Sequence, residues 1–250
     1  MRIEMNFNSR NLSRGAMILP LLLLMASTRQ IAQAQYPVRW TRAVGPHSRQ
    51  ALRAELLGPP ARNEIQTCPD YARALKDDKD YVPDGADESR EKADCDVILL
   101  VLAAKPSRVS YVRGFKLDES ALDLLPASLS EIADEDQAKV KHIGLSWKKY
   151  HPEAKLVRKA FNEINVEGDD EFGVNLQIMA FGDFNGDGVE DVLLFRESYD
   201  IGGHGRCCTP EPVILTRLAP GGRFKAFEVD DKAIHNAAAK VMGRRSGKPN

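Results

Sequence analysis

The sequence lacks a dominant charge. Its 35 Lys and Arg stand against 36 Asp and Glu, a formal net charge of −1. Such a mixed surface offers no basic stripe, so nucleic acid is not expected as a partner. Aromatic residues make up only 7% of the chain and are dispersed. There is no G-x-S-x-G nucleophile turn and no G-x-x-x-x-G-K-[ST] phosphate loop. His47, His142, His151 and His235 are scattered in polar surroundings and read as surface residues. Cysteine is limited to four residues, Cys68, Cys95, Cys207 and Cys208. The adjacent pair lacks the two-residue gap common in zinc sites. After residue 34 no run is long and apolar enough to cross a membrane.

What the chain does have is Gly182-Asp183-Phe184-Asn185-Gly186-Asp187-Gly188-Val189-Glu190-Asp191. The pattern D-x-N-x-D-G-x-x-D can wrap a hard cation in oxygen. Calcium takes six to eight oxygen ligands at roughly 2.3–2.6 Å and tolerates irregular geometry. Asp183, Asn185 and Asp187 would offer side-chain oxygens at alternate positions. Val189 would offer its main-chain carbonyl, and Asp191 a further carboxylate. Gly188 stands where the loop turns sharply, and glycine alone reaches positive φ without a Cβ penalty. The three aspartates carry a formal −3 that a divalent cation offsets in part. The same letters also suit a metal-free Asx/Gly turn.

An EF-hand loop ends in a bidentate Glu at its twelfth position, and Leu194 stands there instead. Apolar runs flank the loop, Val174–Phe181 before it and Val192–Phe195 after it. These read as two strands joined by the loop. On these residues the segment from Gly182 to Leu193 resembles the calcium loop of FG-GAP (VCBS-like) repeats. There the loop links two strands of a β-propeller blade. The resemblance implies calcium ligation by Asp183, Asn185, Asp187, Val189 (main chain) and Asp191. The family usually has several copies, whereas this chain carries one, so a full propeller is not expected.

The first 34 residues read as a secretory signal. Arg2, Arg10 and Arg14 precede an apolar stretch from Gly15 to Ala26, and Ala32-Gln33-Ala34 offers a cleavage site. Cleavage would remove four Arg and one Glu, leaving 31 basic and 35 acidic residues and a net charge of −4. A secreted or periplasmic location follows, with disulfides among the four cysteines. Cys68–Cys95 is the most local pairing. Alternatively each of the two pairs with Cys207 or Cys208.

Residues 35–94 read as an irregular and helical N-terminal segment, with short helices at Ser48–Leu57 and Pro69–Lys76. Asp77–Asp94 reads as an exposed charged loop. Residues 95–242 read as an α+β domain. Within it, Asp96–Leu102, Val109–Phe115 and Ile143–Trp147 are expected as strands. Leu122–Ile132 and Pro152–Ile164 have helical spacing. Four antiparallel strands then follow, from Val174 to Val229, with a turn at Ala219–Gly222 and a closing helix at Asp231–Met242. Residues 243–250 form a basic tail. The expected fold is α+β, an antiparallel β-meander with a calcium-loop hairpin (183–191), packed on N-terminal helices and strands.

The expected role is structural or binding, with structural calcium as the cofactor. The polar 197–211 segment is a candidate surface for a protein partner. The alternative is a calcium-dependent envelope hydrolase using Glu197 and Asp200 with the acidic loop. The glycine-rich Gly202–Cys208 segment reads as a loop stapled by a disulfide.

Overall fold

The computed structural model describes residues 35–41, 68–77, 86–130, 144–168, 172–202 and 210–246. The signal segment, the Ser48–Leu57 helix, Cys207 and Cys208 lie outside the described residues.

Six consecutive strands form an antiparallel meander: β2 (Lys155–Ala160), β3 (Glu163–Glu167), β4 (Phe172–Gly182), β5 (Asp191–Asp200), β6 (Glu211–Thr216) and β7 (Lys225–Glu228). A short seventh strand, β1 (Arg39–Trp40), pairs with β4 where β3 has ended. The α+β meander anticipated from the sequence is therefore present, with two more strands at its start. β4 and β5 are the central pair. Their register slips at Met179, so that Ile178 faces Leu194 and Ala180 faces Leu193. This bulge lets Met179 and Ala180 both join one core.

That core lies on one face of the sheet, under α1 (Cys68–Asp77), α2 (Ala86–Ala103) and α4 (Asp231–Ser246). Tyr71, Leu99, Leu193, Phe195 and Ala238 are central to it. The opposite face packs Ile164, Leu176, Ile178, Val192, Leu194 and Leu215 against a largely irregular layer. That layer supplies Val112, Leu117, Leu122, Leu125 and Trp147, with two 3₁₀ turns (Glu119–Asp123 and Ala127–Leu129) and one helical turn, α3 (Trp147–Tyr150). A lone propeller blade would leave such a face open; here both faces are covered.

Several local expectations are corrected. Asp96–Leu102 is helix, in the second half of α2. Val97 to Val101 are all buried, and a continuous apolar run reads alike for a buried helix and a buried strand. The preceding charged residues, from Ala86 to Asp94, belong to the same helix, so the change of composition at residues 94–95 marks no structural break. Cys95 on this helix bonds Cys68 on α1, with Cα atoms 5.2 Å apart. Closing a loop of that length stabilises by about 3.5 kcal/mol in the chain-entropy model. Beside it, the buried Asp96 accepts from Tyr71 Oη (3.0 Å) and Lys92 Nζ (2.7 Å). Burial raises its pKa, and Lys92 opposes the rise.

Pro152–Ile164 is no helix; it contributes β2 and the start of β3. The hairpin turns at Asn162, which takes φ 59°, a left-handed conformation Asn tolerates better than most residues. Val109–Phe115 makes one isolated bridge, Val109 to Val189, and no strand. Ser146 bridges Pro126 in the same isolated way. Leu122–Leu129 forms two 3₁₀ turns and no continuous helix, because Pro126 has no N–H to carry one through.

Candidate metal site

The loop 183–190 joins the ends of β4 and β5, where Gly182 pairs with Asp191. Gly186 and Gly188 take φ of 88° and 83°, as the turn requires. Gly188 is constrained twice, since a Cβ there would stand 2.7 Å from Arg108 Nη2.

The carboxylates knit the turn through backbone N–H groups. Asp183 accepts from Gly186 N (2.6 Å) and Gly188 N (3.0 Å). Asn185 Oδ1 accepts from Asp187 N at 2.9 Å, and Asp187 Oδ1 from Val189 N at 2.7 Å. Asp191 Oδ2 accepts from Phe184 N at 3.0 Å and Asn185 N at 3.4 Å. Asp183 and Asp191 are buried, at 5% and 0% exposure, while Asn185 and Asp187 are exposed. Among the described residues no Lys or Arg forms an ion pair with any of the three aspartates.

Burial pushes the Asp191 carboxyl up from 3.8 to about 6. Thr216 and the Phe184 and Asn185 amides counter the rise, and the Asp187 charge adds to it. Among the described residues, no three His, Cys, Asp or Glu side chains are gathered as a metal cluster. The aspartates instead line the turn, each held by amides. The donor set of Asp183, Asn185, Asp187, Asp191 and the Val189 carbonyl is oxygen alone, which suits a hard cation such as calcium.

Sequence reasoning missed a strap that fixes this turn from outside. Directly after α2, Lys105 exchanges two backbone hydrogen bonds with Asp183 (3.2 and 3.1 Å). Arg108 N and Val109 N both donate to Gly188 O, and Glu190 N donates to Val109 O at 2.7 Å. Locally the sequence offers Pro106-Ser107, residues that favour a turn. Glu190 was also missed as a structural residue. It is fully buried and accepts from Arg39 Nη2 at 2.8 Å.

Other candidates are not drawn to the loop. Glu197 lies six residues beyond Asp191 on β5, roughly 20 Å along an extended strand. Asp200 ends that strand and caps a turn through Gly202 N. Residues 197–200 are thus strand, and 203–209 fall outside the described residues. Phenylalanines flanking the loop divide between layers: Phe184 and Phe195 pack on the helical side, and Phe181 on the other. His151 lies beside Glu153, and His235 Nδ1 lies 2.7 Å from Asp231 O in its own helix.

No protein-family model, curated protein or solved structure matches the chain.

Proposed function

We propose that this is an exported protein with a structural or binding role, in which calcium occupies the β4–β5 turn. The observation that carries the reading is the charge balance of the turn. Two buried carboxylates and a third exposed one share a short loop, with no cationic side chain paired to them among the described residues. Asp183, Asn185, Asp187 and Asp191 would hold the ion with the Val189 carbonyl. When bound, calcium would supply a positive charge in direct contact with the carboxylates, whereas the Arg108 guanidinium lies over Gly188 without forming an ion pair with them. The residues themselves already close the turn through amide hydrogen bonds, and the 105–109 strap anchors it to α2. The site joins the two central strands, which favours a structural ion. The Cys68–Cys95 bond supports export, since such cross-links persist in oxidising compartments.

Calcium titration by calorimetry, paired with melting curves, tests the reading. Saturable heat and a raised melting temperature are expected, both lost in Asp187→Ala. No heat and no shift at millimolar calcium would refute it. N-terminal sequencing of the protein recovered from its host tests export, with Gln35 expected as the first residue.

A further inference from the structure

On its outer edge β4 changes partners. β3 pairs with it as far as Gln177, and β1 takes over at Ala180. Between them, Ile178 N donates to Asn162 O (2.8 Å) and Thr41 N to Met179 O (3.0 Å). The β2–β3 hairpin tip and β1 therefore stand on two sides of a gap, with the 112–117 segment on a third. The gap is a cleft of about 540 Å³. Arg39, Lys116 and Lys159 line it, with Trp40, Phe161 and Phe181. Among the described residues no Asp or Glu lines it.

Two features suggest a ligand site. Phe161 is 72% exposed and Trp40 38%, large aromatic surfaces left beside cations. Arg39 is also held in place. Its Nη2 donates to Glu190 beneath, and its guanidinium lies 4.6 Å from the centre of the Phe181 ring. The Arg39 side chain keeps 49% exposure and lines the cleft. A guanidinium fixed in advance loses less freedom on binding an anion. The volume lies within the roughly 300–1,000 Å³ of small-molecule sites and is too small for a folded partner.

We propose that this cleft binds a small organic anion with a flat apolar body, a carboxylate or sulfonate on an aromatic frame. Arg39, Lys116 and Lys159 take the anionic group, and Trp40 and Phe161 take the frame. The proposal does not rest on calcium in the β4–β5 turn.

Fluorescence titration with 8-anilinonaphthalene-1-sulfonate, against the uncharged N-phenyl-1-naphthylamine, tests the proposal. One saturable sulfonate site is expected, with the uncharged frame bound at least about tenfold more weakly, since a charge-assisted hydrogen bond is at stake. Lys159→Met and Phe161→Ala should each weaken the sulfonate several-fold. Both change the exposed hairpin tip, so their melting curves should match the parent, which keeps the test clear of folding. Absence of a saturable site, equal affinity for the uncharged frame, or unchanged affinity in Lys159→Met would overturn the assignment.

Discussion

Glu190 and Asp191 are consecutive, equally buried and of like charge, yet the protein treats them differently. Glu190 accepts a hydrogen bond from Arg39 at 2.8 Å, although its second oxygen is buried without a hydrogen-bond partner. Asp191 faces the turn, where the Phe184 and Asn185 amides donate to it and the Asp187 charge adds to the rise of its pKa. Alternation along an extended chain sends the two side chains to opposite faces. One acid is paired with a residue 151 positions away. The other has no cationic side chain paired with it among the described residues. Equal burial therefore carries no single meaning; the counter-charge decides it.

The largest test of this contrast removes the counter-charge of Glu190. Arg39→Met should cost roughly 3 kcal/mol or more, the penalty for stranding a buried charge. Urea melts with and without calcium should show a similar loss, because Arg39 holds Glu190 on the face opposite to Asp191. A double variant, Arg39→Met with Glu190→Gln, should recover part of it.

Next comes the pH dependence of Asp191. Its folded pKa is raised from 3.8 to about 6. The folded state therefore holds the proton more tightly than the unfolded chain. In chelator, the stabilisation is fully present below about pH 4 and is lost as pH rises towards 6. The whole effect is of order 3 kcal/mol at 1.36 kcal/mol per unit. Asp191→Asn should flatten this stretch of the stability–pH curve. Calcium should flatten it as well, by favouring the charged carboxylate.

Calcium itself should stabilise by about 2.7 kcal/mol at a concentration one hundred times its Kd. Melting curves of the parent and Asp187→Ala should separate further in calcium than in chelator, where only the Val189 N hydrogen bond and the repulsion of Asp191 are removed.

The smallest effect compares the two turn glycines. Gly186→Ala should cost about 1–2 kcal/mol from positive φ alone, since nothing lies within 4 Å of its added Cβ. Gly188→Ala should cost somewhat more in a thermal melt, because Arg108 must also move.

Legibility followed the range of the interactions. The Asp183–Asp191 turn was readable because its glycines, its Asx contacts and its flanking strands are all local. The strands β4 to β7 were readable for the same reason, with turn signals at Gly186-Asp187-Gly188 and Pro220-Gly221-Gly222, except for the second half of β5, whose polar residues from Glu197 to Asp200 read as loop. The helix through Asp96–Leu102 was not readable, because Val97 to Val101 are buried on every side and so show no period. The β2–β3 hairpin was hidden by Leu156, Ala160, Phe161 and Ile164, whose spacing imitates a helix while Asn162 makes the turn.

The sequence alone determined the oxygen-rich turn, the strands β4 to β7 around it and the helix from Asp231 to Met242, which runs on to Ser246. Each of these depends on neighbours within a few residues. The tertiary structure alone decided that Cys68 joins Cys95, that the 105–109 strap grips both ends of the turn, and that Glu190 meets Arg39. Those contacts join residues far apart in the chain, where no local pattern records which partner will arrive. The same long-range packing left the cationic, aromatic cleft between β1 and the β2–β3 tip, a site with no motif to announce it.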